Sequence, residues 1–119
     1  PALGAPLEGG IFAGLTTKPD GTHCAVALLD DKSPTLLKWK QAMVWAEQLG
    51  GELPTRPVAA LLFANLKPQF DLHPSWYWTS ETWGGSYAWY QGFDLGFQLS
   101  CHKSYEGRAR AVRLIQLAA

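Results

Sequence analysis

Residues 51–66 read GELPTRPVAALLFANL, and this stretch predicts a helix over about residues 56–66. Thr55 is placed to cap the helix, because a threonine hydroxyl accepts a hydrogen bond from a backbone N–H of the first turn. Pro57 suits that first turn, where its missing N–H leaves no hydrogen bond unmade. The helix then has an apolar surface to bury against the rest of the chain, formed by Leu61, Leu62, Ala64 and Leu66.

The chain before this stretch has the periodicity of a first helix, over about residues 36–49. Apolar residues recur there at spacings of three and four, with polar and charged residues between them. Thr35 can cap its start, and Gly50-Gly51 supplies the left-handed conformation expected past a helix C-terminus. The apolar positions are Leu36, Trp39, Met43, Ala46 and Leu49.

Residues 10–29 predict a β-hairpin. The short apolar runs at 11–15 and 24–29 are typical of strands. Between them, residues 18–21 read Lys-Pro-Asp-Gly, which places proline at the first central turn position and glycine where a positive φ is needed. We therefore expect the first two long strands to be antiparallel neighbours.

The part of the chain after residue 75 is rich in strand-forming residues. Gly84-Gly85 interrupts it, and residues 94–96 and 104–107 have the composition of hairpin turns. The order of strands, two helices and further strands predicts an α+β fold in which the helices pack on short mixed or antiparallel sheets. The predicted strands of this region, 76–117, cover residues 76–81, 87–93, 97–101 and 108–117.

Composition limits what such a chain can be. Its 119 residues fit one domain, over residues 1–119, and a hydrophobic content of 47% with only 17% charged residues excludes intrinsic disorder. Ten basic residues balance ten acidic ones, which argues against a nucleic-acid partner. No apolar run has membrane length and no secretory signal pattern is seen. We expect no membrane insertion, synthesis in the cytoplasm, and a place in a virion or in the host cytoplasm.

Cys24 and Cys101 are the two cysteines of the chain. The first interpretation is two buried thiols, and a single disulfide is the alternative. His23 and His102 stand beside them, and two cysteines with two histidines are a familiar zinc ligand set. However, adjacent side chains in a strand point to opposite faces, so we expect no metal ion.

Aromatic residues concentrate in the C-terminal part, where nine of the fifteen lie between Trp76 and Phe97. They form either a core alone or a core together with a binding surface. Exposed tryptophan and tyrosine bury a large area at low entropic cost, and sugar rings stack well on their faces. The candidate ligand-binding residues are Trp76, Glu81, Trp83, Tyr87, Tyr90, Gln91, Asp94, Gln98, His102 and Lys103.

Basic residues accumulate at the end of the chain. Residues 103–113 contain one acidic residue, Glu106, and four basic ones, a local excess of three positive charges. The basic residues are Lys103, Arg108, Arg110 and Arg113. The alternation of arginine and alanine over this stretch is typical of a half-exposed strand. A phosphate-contacting patch is the alternative.

No catalytic constellation is visible in the sequence. There is no Gly-x-Ser-x-Gly nucleophile elbow, no phosphate-binding glycine-rich loop and no His-Glu-x-x-His helix. Glu52 and Glu81 could serve as an acid and base pair, but nothing in the sequence brings them together. We therefore expect no catalytic residues and no cofactor.

Short motifs follow one another in a set order through residues 36–115. They are Leu37-Lys38-Trp39-Lys40-Gln41-Ala42, Gly51-Glu52-Leu53-Pro54-Thr55, Tyr77-Trp78-Thr79-Ser80-Glu81, Ala88-Trp89, Phe93, Gly96 and Arg110-Ala111-Val112-Arg113. Together they resemble the DUF1566 family, which is related to the C-terminal domain of the Legionella collagen-like adhesin and has many members in phages and prophages. The resemblance implies a C-type-lectin-like fold, also found in formylglycine-generating enzymes, whose late loops and strands meet ligands.

This resemblance implies a non-enzymatic binding module of phage or prophage origin that recognises a host surface glycan or protein through residues 76–103. One alternative is an intracellular phage accessory protein that binds and inhibits a host defence complex. Another is an enzyme on a formylglycine-generating-like fold. A homo-oligomer stays open, although no coiled coil or collagen stalk is encoded.

Two departures from the family narrow these expectations. Members often carry an arginine before Leu-Pro-Thr, whereas this chain has Gly51-Glu52, so any partner of that arginine is missing or replaced. Glu81 and Asp94 are isolated rather than part of an acidic cluster of the lectin calcium type. Calcium-dependent sugar binding is therefore not carried over to this chain.

Overall fold

The structure, a computed structural model, describes residues 2–117 and folds them into two helices and two antiparallel sheets. The predicted α+β class is thereby confirmed. One sheet has four strands in the order β1-β2-β3-β7, and the other has three in the order β4-β5-β6. The elements are β1 Pro6–Leu7, β2 Gly10–Thr17, β3 His23–Lys32, α1 Trp39–Gln48, α2 Arg56–Leu66, β4 Trp76–Trp83, β5 Tyr87–Gly92, β6 Gln98–His102 and β7 Arg110–Gln116.

The predicted hairpin is confirmed as the antiparallel pair β2 and β3. Its turn closes through the N–H of Gly21, which donates to the carbonyl of Lys18 at 2.9 Å. Gly21 has a φ of 89°, the left-handed conformation for which glycine is favoured. Local turn chemistry therefore determines this pairing.

Helix α2 begins and ends at the predicted residues, and the Thr55 hydroxyl accepts from the Val58 N–H at 3.4 Å. Helix α1 begins three residues later than predicted. Leu37 is extended, because its N–H and carbonyl form a two-bond bridge with Gly107. The expected cap at Thr35 is therefore wrong, and the Gln41 side chain instead accepts from the Lys38 N–H at 3.0 Å.

The turn predicted at residues 104–107 does not return the chain onto β6. Strand β7 crosses to the other sheet and pairs antiparallel with β3. This crossing buries Ala111 and Val112 completely, one in each of the two hydrophobic clusters. Burial by residues distant in sequence therefore overrides the local hairpin signal.

The three-stranded sheet has a helix on each face. Tyr77 and Phe93 join the cluster formed by α2, β3 and β7, whereas Trp78 and Ala88 join the cluster around α1. Because β4 and β5 alternate between the two faces, each face contributes to a different part of the core. Within residues 2–117, neither helix is both long and apolar enough to span a membrane.

The arginines near the C-terminus brace separate segments of the chain. Each guanidinium donates to backbone carbonyls at 2.6 to 3.4 Å, and Arg108 also lies 3.6 Å from the Asp71 carboxylate. None of the three is exposed, so they do not form an open phosphate-contacting patch. The acceptors are the carbonyls of His73 and Pro74 for Arg108, of Leu29 and Gln69 for Arg110, and of Glu8, Leu49 and Gly50 for Arg113.

Candidate binding site

Three of the predicted binding residues form an exposed row across the three-stranded sheet. Strand register places Trp83 opposite Tyr87 and Tyr87 opposite His102, so all three side chains share one sheet face. The Tyr87 and His102 rings lie 5.7 Å apart at 75°, and Trp83 is 60% exposed. We call Trp83, Tyr87 and His102 the aromatic row.

A bulge in β4 separates this row from the covered end of the sheet. Trp78 pairs with Tyr90 and Thr82 with Ala88, so β4 advances four residues while β5 advances two. The Thr79 hydroxyl donates to the Trp89 carbonyl at 2.8 Å inside the bulge. The bulge therefore has a defined internal hydrogen bond and turns Glu81 towards the start of α2.

Arg56, the first residue of α2, connects the sheet to the helix. Its backbone N–H donates to Oε2 of Glu81 at 2.7 Å, so this carboxylate satisfies an N–H at the helix N-terminus. Its side-chain Nε donates to Oε1 of Gln98 at 2.9 Å. The guanidinium also lies 3.7 Å from the centre of the Trp89 ring, a cation–π arrangement.

A pair of glutamines fixes the geometry around Arg56. Gln98 donates from Nε2 to the Arg56 carbonyl at 2.7 Å and to Oε1 of Gln91 at 2.8 Å. Gln91 in turn donates to the carbonyls of Gly92 and Gly96 at 2.8 and 3.0 Å. Gln91 is buried, so it supports the site from below and is not available to a ligand.

A groove of about 780 Å³ opens beside this network. One wall is the start of α2 with Glu81 and Gln98, and the other is the end of β2 with its turn, which contributes Thr16, Thr17 and Lys18. Within residues 2–117, the two terminal amino groups of Arg56 form no hydrogen bond. The groove therefore offers cationic donors, threonine hydroxyls and a carboxylate acceptor in one place.

The groove and the aromatic row are continuous along the sheet. Trp89 lies two residues from Tyr87 on the same face of β5, about 7 Å along the strand. Trp89 carries Arg56 on its ring, and Arg56 lines the groove. We call this combined surface the open face. It consists of the aromatic row, Trp89 and the groove wall formed by Arg56, Glu81 and Gln98.

Trp76 and Tyr90, both predicted as binding residues, lie on the opposite face of the sheet. Their rings are 4.8 Å apart, and Trp76 lies 5.0 Å from Trp78. A Cβ atom at Gly107 would overlap the Trp76 ring, so this ring packs directly on backbone. Burial raises the pKa of Tyr90. Both residues therefore belong to the packing around α1 and lie away from the open face.

Asp94 and Lys103 hold turns together rather than pointing into the groove. The Asp94 carboxylate accepts from the Leu95 N–H at 2.8 Å, and this hydrogen bond holds its pKa below the usual value. The Lys103 ammonium donates to the Gly85 carbonyl at 3.0 Å and lies 4.6 Å from the centre of the Trp39 ring.

Both cysteines are free thiols in the structure, so the alternative of a single disulfide is wrong. The expectation of two buried thiols is confirmed for Cys24, whereas Cys101 is only partly buried. Burial raises the pKa of Cys101, which disfavours the thiolate that nucleophilic chemistry needs. The described part of the chain holds no group of three His, Cys, Asp or Glu side chains placed to bind a metal ion. Glu52 lines a recess beside Met43 and Glu47, whereas Glu81 lines the groove.

Two residues of the open face are absent from the predicted set, Arg56 and Trp89. Strand alternation does place Trp89 on the face of Gln91, which is a signal in the sequence. No pattern links Arg56 to Glu81 or Gln98, which lie 25 and 42 positions away. Their meeting depends on how α2 docks onto the sheet.

Comparison with known protein families gives no matching family, and comparison with curated proteins gives no matching relative.

Proposed function

We propose that this domain is a non-enzymatic binding module that recognises a glycan on the surface of a host cell. The observation that carries the proposal is the open face, where the exposed aromatic row continues into a mostly apolar groove that also presents polar side chains, among them Arg56, Glu81 and Gln98. The phage or prophage origin rests on the resemblance to DUF1566 alone.

The chemistry of the open face suits a carbohydrate. A sugar ring presents an apolar face that stacks on an aromatic ring, and Trp83 and Tyr87 are exposed for that contact. The hydroxyl groups of a sugar both donate and accept hydrogen bonds. Arg56 supplies free donors and Glu81 supplies a carboxylate acceptor at the adjoining groove. A ligand that spans row and groove would use both kinds of contact.

The site is also built to be rigid before a ligand arrives. Gln91, Gln98 and Arg56 are joined by hydrogen bonds of 2.7 to 2.9 Å, and Gln91 is anchored to two backbone carbonyls. A preorganised site loses less conformational entropy on binding, so weak individual contacts to a sugar suffice. Such rigidity serves recognition and requires no chemical step.

The proposal is tested by probing an array of bacterial surface polysaccharides and then titrating any glycan bound, in solution, by calorimetry. We expect Trp83→Ala and Tyr87→Ala each to weaken binding by about tenfold or more. Phe97→Ala is the matched control, because Phe97 is 64% exposed and lies beside the opposite end of β6. It should bind as the wild type does.

Two results would contradict this function. One is an array on which the wild type binds no glycan. The other is a glycan whose affinity falls equally in Trp83→Ala and Phe97→Ala, since the aromatic row would then have no special part. Capture of a host protein that depends on Trp83 and Tyr87 would replace the glycan with a protein ligand at the same face.

A further inference from the structure

Strand β6 forms an uncovered edge of the three-stranded sheet. At the other edge of that sheet, the Trp78 N–H donates to the Arg108 carbonyl at 3.0 Å and the Arg108 N–H to the Trp76 carbonyl at 3.3 Å. In the four-stranded sheet, β7 is covered by a two-bond bridge between Glu52 and Val112. Among residues 2–117, no strand pairs with the outer side of β6.

The hydrogen bonds to β5 show which groups of β6 are free. The Phe97 carbonyl accepts from the Gly92 N–H at 2.8 Å, and the Lys103 N–H donates to the Ser86 carbonyl at 2.9 Å. In an antiparallel pair, every second residue points its backbone groups at its neighbour. Residues 99 and 101 therefore bond to β5, and the backbone groups of Gln98 and Ser100 and the N–H of His102 point outward. The His102 carbonyl also points outward but already accepts from the Tyr105 N–H at 3.0 Å.

Native proteins usually protect such an edge with a lysine, a proline or a bulge. Strand β6 reads Gln-Leu-Ser-Cys-His, with none of these and no charged residue. Leu99 is 52% exposed beside the edge, and the neighbouring Leu95 and Phe97 are exposed as well. Unpaired backbone groups next to exposed apolar side chains indicate an interface.

We propose that β6 pairs antiparallel with β6 of a second copy of this chain, joining two three-stranded sheets into one of six strands. A two-fold axis at Ser100 places Ser100 opposite itself and Gln98 opposite His102, so outward groups meet outward groups. Leu99 then faces the smaller Cys101 of the other copy. A strand without charge meets no like-charge repulsion when it pairs with itself. The same pairing sets a larger side chain against a smaller one on both sides of the axis, so a second copy is the occupant we propose.

The pairing has a defined stoichiometry. It uses the same edge of both copies, so the contact closes on itself and assembly stops at a dimer. A five-residue strand with its flanking apolar side chains forms a small contact, below the lower limit of about 1,200 Å² for specific, stable interfaces. We therefore expect self-association at micromolar rather than nanomolar concentrations.

The dimer would also make any ligand site bivalent. An axis perpendicular to the sheet keeps both aromatic rows on the same face of the six-stranded sheet. Two linked sites bind a repeating surface ligand more tightly than one site does. The pairing itself does not depend on the proposed glycan, because it rests on the edge of β6 alone.

Sedimentation equilibrium of the full chain at protomer concentrations from about 5 to 500 μM tests the proposal. The wild type should fit a monomer–dimer equilibrium. Ser100→Pro removes an outward N–H and leaves every bond to β5 in place, a position at which strands tolerate proline. It should raise the dimer dissociation constant by about tenfold or more, because two symmetric hydrogen bonds are lost.

Matched variants keep the test decisive. Ser100→Ala keeps the backbone N–H and should still dimerise. Leu99→Lys places a charge at the edge and should weaken the dimer, whereas Leu15→Lys on β2, where Leu15 is 60% exposed, should not. Near-ultraviolet circular dichroism confirms that each variant is folded. If Ser100→Pro does not fold, the Leu99→Lys and Leu15→Lys pair decides the question.

A wild type that stays monomeric at every concentration overturns the proposal. This holds even if an extended peptide of another protein binds to the edge of β6. Equal dimerisation of Leu99→Lys and wild type overturns it as well. Neither result affects the glycan titration, which uses single sites in solution, so the two proposals fail separately.

Discussion

The two ends of β4 carry tryptophans in opposite environments. Trp78 is fully buried, with its Nε1–H donating to the Leu37 carbonyl at 2.8 Å. Trp83 lies five residues further along and is 60% exposed, after the bulge and at the end of the sheet. Aromatic residues of one strand therefore occupy two different environments. The covered end builds the core, and the open end leaves its tryptophan exposed.

The same division holds for two arginines. Arg110 is 3% exposed and donates to the carbonyls of Leu29 and Gln69, while burial lowers its pKa. Arg56 stacks on Trp89 and lines the groove, and within residues 2–117 its terminal amino groups donate no hydrogen bond. An arginine whose donors are used inside the chain braces the fold, whereas one with free donors is available to a ligand.

The largest expected difference in stability is between variants of the two tryptophans. Trp78→Ala should lower the free energy of unfolding by about 4 kcal/mol, because it removes a large buried ring and leaves a cavity. Trp83→Ala should change it by less than about 0.5 kcal/mol, as substitutions of exposed side chains usually do. Urea denaturation followed by circular dichroism measures both. A large loss of stability in Trp83→Ala would show that Trp83 stabilises the fold as Trp78 does, and that the two tryptophans do not differ in role.

The arginine pair gives the next largest effect. Arg110→Met should cost about 3 kcal/mol, because the Leu29 and Gln69 carbonyls lose charged donors in a buried place. Arg56→Met removes one hydrogen bond to Gln98 and should cost about 1 kcal/mol. Thermal and urea unfolding of the two variants side by side provides the measurement. Equal losses would mean that Arg56 is a brace like Arg110 and not a residue held ready for a ligand.

Local signals in the sequence predicted much of the fold. The bounds of α2 follow from Thr55 and Pro57, and the β2–β3 hairpin follows from its turn around Gly21, because each signal lies beside the element it controls. The path of β7 does not follow from its local sequence. Residues 104–107 have turn composition, yet β7 pairs with β3, about 85 positions earlier in the chain.

The candidate site was predicted only in part for the same reason. Alternation indicates which residues of a strand share a face, but it does not say which face a helix covers. Trp76 and Trp83 lie seven positions apart, so alternation puts them on opposite faces. Only the docking of α1 shows that the face of Trp76 is a covered one. Arg56 reaches Trp89 across 33 positions, a contact that no periodicity encodes.

Asp94 provides the smallest and most selective test, since its turn lies at the covered end of the sheet, next to the Trp76–Gly92 pair. The Leu95 N–H stabilises the charged carboxylate and lowers its pKa in the folded chain, while the unfolded chain keeps the ordinary value near 3.8. The resulting stability is present above that value and is lost as the pH falls through the lower folded pKa.

Asp94→Asn should therefore melt slightly below the wild type at about pH 7, and the difference should shrink as the pH falls below 3.8 and through the lower folded pKa. Differential scanning calorimetry at a series of pH values measures this difference. Glu106→Gln is the matched control, because Glu106 is an exposed acid in the β6–β7 turn and forms no hydrogen bond among residues 2–117. A difference that stays constant with pH would mean that the charge of Asp94 is not what holds the turn. If Asp94→Asn instead bound a glycan more weakly and melted as the wild type does, Asp94 would belong to the ligand-binding residues and not to the residues that hold the fold.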